Sequence, residues 1–173
     1  MSKENLTKAI DPFQFASNAT QLHESIPLAE MGRLKESLVD AAGEVSINVK
    51  FGIDMQGIKY LKANYACDAK LQCQRCMETF SYPVMGEFTS ALVTSDKVAT
   101  QLPKHYEPLI VNEGALVVSQ VIEDELILSL PIVPMHDSQT CHIKLPYAAA
   151  GPKEEEKPNP FKAIEALKKQ DLN

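Results

Sequence analysis

The hydrophobic pattern adopts a period of two at residue 44 and keeps it as far as residue 92. Apolar and polar side chains alternate in three successive runs. The apolar members are Val45, Ile47, Val49, Phe51 and Ile53; then Leu61, Ala63, Tyr65, Cys67, Ala69 and Leu71; then Phe80, Tyr82, Val84, Phe88 and Leu92. Alternation places every second side chain on one face of a strand. The sequence therefore predicts an antiparallel three-stranded meander with one buried face.

The two connections within this meander differ in chemistry. Met55-Gln56-Gly57 has the composition of a tight turn. The second connection carries Cys73-Gln74-Arg75-Cys76, so the cysteine pair is expected between the second and third strands.

Helical spacing of apolar residues predicts two helices beside the sheet. The first is expected over residues 27–42, with Gly43 as its stop signal, and the second over residues 115–130, ended by Pro131. Phe13 and Phe15 alternate and predict a short strand, as do residues 109–111. The predicted fold class is α+β, an antiparallel β-meander packed by one or two helices.

The length of 173 residues is typical of one domain with a tail. We expect a single α+β domain over residues 1–146, with its core at about 26–142. Residues 147–173 are expected to form a flexible polar linker and a short C-terminal helix. Asn159 and Pro160 are start signals for this helix, and Phe161, Ile164 and Leu167 form its apolar stripe.

The charge and hydropathy exclude several classes of protein. A hydrophobic content of 45% excludes general disorder. The longest apolar cluster contains Glu123, Asp124 and Glu125, so no membrane association is expected, and the N-terminus has no apolar export signal. These features predict a cytoplasmic protein. The net charge of −6 argues against a nucleic-acid binder that works by bulk phosphate neutralisation.

The Cys73–Cys76 pair is the sharpest chemical motif. Two cysteines three positions apart on a tight connection can direct both sulfurs at one tetrahedral ion, which is half of a structural zinc site. His136 and Cys141 are the candidates for the other half, with His142 as an alternative imidazole. Reduced thiols without a metal remain open, and a thiol redox protein is a weaker alternative because a strand, rather than a helix, is expected after Cys76.

The remaining cysteine and the acidic run have simpler interpretations. Cys67 lies on the apolar face of its strand and is expected in the core. Consecutive helical residues point about 100° apart, so Glu123, Asp124 and Glu125 cannot converge on one ion. They predict a solvated acidic face that can receive a basic protein. The chain has no G-x-S-x-G, H-E-x-x-H, P-loop or dinucleotide motif, so no enzymatic activity and no small-molecule substrate are expected.

Three segments together resemble one known family. They are LQCQRC at 71–76, EDELILSLPIVPMHDSQTC at 123–141 and KPNPF at 157–161. With the length of the chain, they are similar to the bacterial large ribosomal RNA subunit accumulation proteins, the YceD family. The resemblance implies a role in the synthesis, processing or stability of 23S rRNA, hence in large-subunit assembly, without an established enzymatic activity. Some branches of that family carry further cysteines where this sequence has His136 and Cys141.

Two modes of action follow from these observations. The leading hypothesis is a non-catalytic ribosome biogenesis factor that binds basic ribosomal proteins. Its partner-binding residues are predicted in the acidic run and the C-terminal stripe: Glu123, Asp124, Glu125, Phe161, Ile164 and Leu167. The alternative is direct binding of 23S rRNA through the second strand and the cysteine loop, with Lys59, Lys62, Lys70 and Arg75 as contacts and Tyr60 as a stacking ring.

Overall fold

The structure is a computed structural model that describes residues 6–104, 106–111, 114–137, 139–141 and 143. Residues up to Cys141 belong to one compact unit; a second unit, His142–Asn173, is described only at Ile143. The described elements are, in chain order, β1 (Ala9–Ile10), α1 (Pro12–Ser17), β2 (Gln21–Pro27), two 3-10 turns (Leu28–Glu30 and Leu34–Ser37), β3 (Glu44–Ile53), β4 (Lys59–Gln72), β5 (Thr79–Val93), α2 (Asp96–Ala99), β6 (Glu107–Ile110), β7 (Leu116–Val117) and α3 (Val118–Ser129).

The main sheet contains five strands in the order β2-β3-β4-β5-β6. Strands β2 to β5 pair antiparallel with their neighbours, whereas β6 runs parallel to β5. The predicted meander is confirmed as β3-β4-β5, and β6 confirms the short strand expected at 109–111. The predicted turn lies between β3 and β4, where the Asp54 carboxylate accepts hydrogen bonds from the backbone N–H groups of Gln56 and Ile58, both at 2.8 Å. Gly57 supplies the positive φ (81°) that this turn requires.

One face of the sheet is buried by α1 and α3. Phe15 of α1 packs on Phe51 of β3, with ring centroids 5.5 Å apart. Tyr65 of β4 reaches α3, where its hydroxyl lies 2.8 Å from the Ser129 hydroxyl. Most side chains predicted by alternation form the core, because Val45, Ile47, Val49, Phe51, Leu61, Ala63, Tyr65, Ala69 and Leu71 are all buried. Ile53 is an exception: it is the last residue of β3 and is exposed. The α+β fold class is therefore confirmed.

The helix predicted over residues 27–42 is wrong. This segment ends β2 at Pro27 and then forms two 3-10 turns. Leu28, Met31 and Leu34 are still buried, but several backbone N–H groups of the segment bond to distant partners instead of to the preceding turn. The N–H of Leu28 donates to the Gly43 carbonyl, that of Val39 to the Lys70 carbonyl, and that of Leu34 to the Glu123 carboxylate. Tertiary hydrogen bonds thus interrupt the ladder of local ones, which persists only in short turns.

The predicted strand at Phe13 and Phe15 is also wrong, because these residues lie in helix α1. The Asp11 carboxylate caps this helix by accepting hydrogen bonds from the N–H groups of Phe13 and Gln14, and Pro12 occupies its first turn. The local start signals therefore outweighed a two-residue alternation.

The second predicted helix is confirmed as α3, although it begins later than expected. Leu116 pairs with Ile10, so the start of the predicted span forms strand β7. Leu130 adopts an extended conformation before Pro131, which ends the helix as predicted. The C-terminal linker and helix lie outside the described residues. None of the helices in the described part of the chain is long and apolar enough to span a membrane.

Candidate metal centre

The Cys73–Cys76 loop connects β4 to β5, as predicted. The N–H of Cys73 donates to the Glu78 carbonyl (2.9 Å), and the N–H of Met77 donates to the Cys73 carbonyl (2.8 Å). Met77 adopts a positive φ of 64°, which lets the chain reverse within the loop. These two backbone bonds close the loop and bring Cys73 and Cys76 to the same side of it.

A second loop, which follows α3, supplies the other two side chains. The Pro134 carbonyl accepts a hydrogen bond from the N–H of Gln74 (2.9 Å), and this bond joins the two loops. The Asp137 carbonyl then accepts the N–H groups of Thr140 (3.1 Å) and Cys141 (3.0 Å). This turn brings Cys141 back to the side of His136.

The four predicted ligands converge. The ligand atoms of Cys73, Cys76, His136 and Cys141 all lie within 4.8 Å of one another. Cys73 and Cys141 are buried, and the Cys76 sulfur lies 3.4 Å from Nε2 of His136. A tetrahedral zinc with bonds of about 2.0–2.3 Å separates its ligand atoms by about 3.3–3.8 Å. The arrangement could hold a metal ion after only a small contraction. The alternative ligand His142 lies outside the described residues.

The loop also favours a thiolate at Cys73. Burial acts to raise the pKa of Cys73, but hydrogen bonds from the backbone N–H groups of Cys76, Arg75 and His136 outweigh it, and the pKa lies at about 6. In contrast, burial and the sulfurs of Cys73 and Cys141 raise the pKa of Cys76 to about 11, although the Glu78 N–H opposes this shift. The cluster thus contains one sulfur that is already prepared as an anionic metal ligand.

Two residues that the sequence did not single out support the centre. Phe80 packs edge-on against His136, with ring centroids 5.4 Å apart, and so restricts the imidazole. Phe80 stands just after the start of β5, close to the cysteine loop, and this position in the sequence was the signal that could have identified it. Met135 contacts Arg75 through its sulfur, 3.7 Å from Nη2, but the long sequence separation of this pair left no local signal.

Cys67 is separate from this centre. It is half-buried and packs against the core, as its place on the apolar face predicted. Burial and the neighbouring Asp68 raise the pKa of its thiol to about 11, which disfavours the thiolate form.

The four cations predicted to contact RNA do not form one patch. Lys59 donates to the Phe13 carbonyl (3.4 Å) and lies over the Phe13 ring. Lys62 pairs with Glu87 at 3.2 Å. Lys70 lies about 26 Å from Lys62 along the strand, at about 3.3 Å per residue, and belongs with Arg75 to the end of the sheet that carries the cysteine loop.

The three acidic residues of α3 have different environments. Glu123 is buried and bound to Arg33, so it is not part of a solvated face. Asp124 is exposed and also pairs with Arg33, which the sequence did not reveal as a partner. Burial, followed by the charges of Glu107 and Asp124, raises the pKa of Glu125, so two further carboxylates lie near it. The predicted residues Phe161, Ile164 and Leu167 lie outside the described residues.

The fold and the site together define a small α+β protein whose sheet carries a Cys3His cluster that could hold a metal ion. Comparison with known proteins narrows this class. Residues 61–168 match the family described as large ribosomal RNA subunit accumulation protein YceD. A protein of that name from Haemophilus influenzae is 34% identical over 172 residues, which cover 97% of this chain and 99% of that protein. The chain belongs to the YceD family, so the resemblance noted in the sequence is confirmed. No solved structure matches the chain significantly.

Proposed function

We propose that this protein is a non-catalytic ribosome biogenesis factor that supports the synthesis, processing or stability of 23S rRNA in the cytoplasm. The observation that carries this proposal is the match, over nearly the full length of both chains, to a protein named for accumulation of the large ribosomal RNA subunit. Deletion of the gene is expected to lower the ratio of 23S to 16S rRNA, and expression of the chain from a plasmid should restore it. An unchanged ratio in the deletion strain would contradict the proposal.

We further propose that the Cys3His cluster binds one structural zinc ion. Three sulfurs and one imidazole from two loops favour zinc over magnesium or calcium, which prefer oxygen ligands. The four side chains leave no open coordination position, so the ion would join the loops instead of activating water. Protein purified without chelator should contain about one equivalent of zinc, on the ligand-count criterion. A content below about a tenth of an equivalent would exclude a stable structural site.

The acidic surface around Asp124 and Glu125 supports basic ribosomal proteins as the partners. Its neighbouring carboxylates and the net charge of −6 complement such proteins electrostatically. We expect Glu125→Gln to weaken association with pre-ribosomal particles at low salt, whereas Glu30→Gln, an exposed change outside α3, should not. The pull-down is repeated after nuclease treatment. Loss of every partner upon RNA digestion would contradict protein binding.

The predicted C-terminal helix is a proposed second contact. Phe161, Ile164 and Leu167 would insert into a groove of the partner. Deletion of residues 152–173 should reduce particle association while the melting temperature stays unchanged. A lower melting temperature would instead indicate that the segment stabilises its own protein.

Direct binding of 23S rRNA is the second candidate mode. It is favoured by the exposure of Lys62 on a sheet face that carries several other polar side chains. If the set Lys59, Lys62, Lys70 and Arg75 contacts phosphates, affinity for 23S fragments should fall steeply with salt. A flat salt response would remove this candidate.

A further inference from the structure

The second face of the sheet carries polar side chains in register. Helices α1 and α3 pack on the core face, whereas the opposite face exposes side chains from four neighbouring strands. These are His23 of β2, Asn48 and Lys50 of β3, Lys62 and Asn64 of β4, and Glu87 of β5. A sheet face that is not needed for the core is free to bind a ligand.

Two cross-strand pairs lie at the centre of this face. Lys50 is directly opposite Lys62, and Asn48 is directly opposite Asn64. Like charges directly opposite each other destabilise a sheet, so the lysine pair is unfavourable for folding. Glu87 compensates Lys62 at 3.2 Å, but Lys50 has no ion pair with any residue that the structure describes. Lys50 therefore keeps a positive charge on the surface of an acidic protein, whereas the charge of Lys62 is balanced by Glu87.

Aromatic rings adjoin the lysine pair in fixed positions. Tyr60 lies opposite Gly52, and its ring crosses this glycine so closely that a Cβ there would lie 2.7 Å from the tyrosine oxygen. The glycine thus lets the ring lie against the sheet. Tyr106 is held by its hydroxyl, which donates to the Asp54 carboxylate at 2.9 Å. Both rings are positioned before any ligand arrives.

These groups line two clefts that meet at Lys62. One, of about 340 Å³, is lined by the asparagine pair, His23 and Lys50. The other, of about 480 Å³, is lined by Tyr60, Tyr106 and Asp54. Lys62 lines both, so cations, amides and aromatic rings follow one another across the sheet. Among the described residues, the cleft with Lys50 has no carboxylate in its lining, whereas the other contains Asp54.

We propose that this double cleft binds single-stranded RNA. The lysines contact phosphates, Asn48 and Asn64 form hydrogen bonds with base edges, and the tyrosine rings stack with bases. Watson–Crick edges and ring faces of bases are accessible in single strands but are paired or stacked in A-form duplexes, which favours an unpaired segment. A basic protein would be repelled by the lysine pair. The inference rests on the proposed role in 23S rRNA accumulation and assigns a surface to it.

The test measures binding by fluorescence anisotropy of the full-length protein. The probes are a labelled mixed-sequence RNA of about ten nucleotides, within the usual range of single-strand sites, and the same RNA annealed to its complement. The wild-type protein should prefer the single strand. Lys50→Gln/Lys62→Gln should weaken binding about tenfold at low salt and reduce the slope of log K against log salt by about 0.7 per lysine. Tyr60→Leu should weaken binding at least about fivefold with an unchanged slope.

The matched control is Lys35→Gln/Lys97→Gln, which changes the net charge equally at exposed lysines that line neither cleft. The inference would be overturned if both double variants lost the same amount of RNA affinity. It would also be overturned if the protein bound single strand and duplex equally, or bound no RNA. It is also overturned if the cleft variants lose a ribosomal protein from nuclease-treated pull-downs. In each case the 23S to 16S ratio in complemented cells still reports separately on the proposed function.

Discussion

The side-chain carboxylate of Glu123 in α3 accepts hydrogen bonds from both the backbone and the side chain of Arg33. The Oε1 atom accepts a hydrogen bond from the Arg33 backbone N–H at 2.7 Å, and the Oε2 atom accepts from Nε at 3.2 Å and Nη2 at 3.1 Å. The same carboxylate also accepts the N–H of Leu34 at 3.1 Å. A single buried side chain therefore ties the second 3-10 turn to the main helix.

Glu123→Gln should destabilise the protein strongly. The change removes the charge that pairs with Arg33 and introduces an amide donor among existing donors. The expected loss is about 2–3 kcal/mol, or roughly 5–10 °C in Tm. Asp124→Asn is the control, since an exposed ion pair contributes less than about 1 kcal/mol. Thermal denaturation of both variants provides the measurement, and equal shifts would contradict a special role for Glu123.

Acid should weaken the same contact. Burial acts to raise the pKa of Glu123, but the N–H groups of Leu34 and Arg33 and the guanidinium outweigh it, so the pKa is lowered. A carboxyl with a lowered folded-state pKa stabilises fully above its unfolded pKa, about 4.3, and loses this contribution as pH falls through the folded value. The stability difference between wild type and Glu123→Gln should therefore shrink below about pH 4.3. A difference that stays constant down to acid unfolding would exclude this linkage.

Loss of one cluster ligand should affect stability mainly through the metal, with a smaller part from the lost packing of the buried sulfur. We expect Cys73→Ala to lower Tm by several degrees and to abolish any further effect of chelator, because the two loops are no longer joined by an ion. Cys67→Ala replaces a cysteine outside the cluster and should keep both zinc and the chelator response. Zinc content and Tm with and without chelator are measured together. Retention of a full equivalent of zinc by Cys73→Ala would refute the ligand assignment.

Gly86 should not tolerate a side chain. A Cβ at this position would collide with the Tyr65 ring, and Tyr65 cannot retreat easily because its hydroxyl is bonded to Ser129 of α3. Gly86→Ala is expected to cost about 1–3 kcal/mol by overpacking. At Gly32 a Cβ would meet nothing within 4 Å, so Gly32→Ala should leave the denaturation midpoint nearly unchanged. Similar midpoints for both variants would contradict the packing argument.

The sequence predicted the elements whose signals are local. The meander β3-β4-β5 followed from alternation, since every second side chain of a half-buried strand faces the core. Helix α3 followed from helical spacing and Pro131. The segment 27–42 was predicted wrongly because its leucines have helical spacing, while hydrogen bonds to Gly43, Lys70 and Glu123 interrupt the helical ladder. Partners so distant along the chain leave no periodic signal.

The candidate metal centre shows the same division between features with a local sequence signal and features that depend on distant contacts. The sequence alone determined which residues have ligand chemistry: the pair Cys73 and Cys76 on a tight connection, with His136 and Cys141 after a helix. Only the tertiary structure decided that their ligand atoms converge within 4.8 Å, because convergence depends on how the two loops meet, for instance at the hydrogen bond between Gln74 and Pro134. The tertiary structure also decided that Glu123 is buried and paired with Arg33 inside the protein, since both depend on how α3 packs. Residue types and periods are local properties, whereas burial and convergence arise only when distant segments meet.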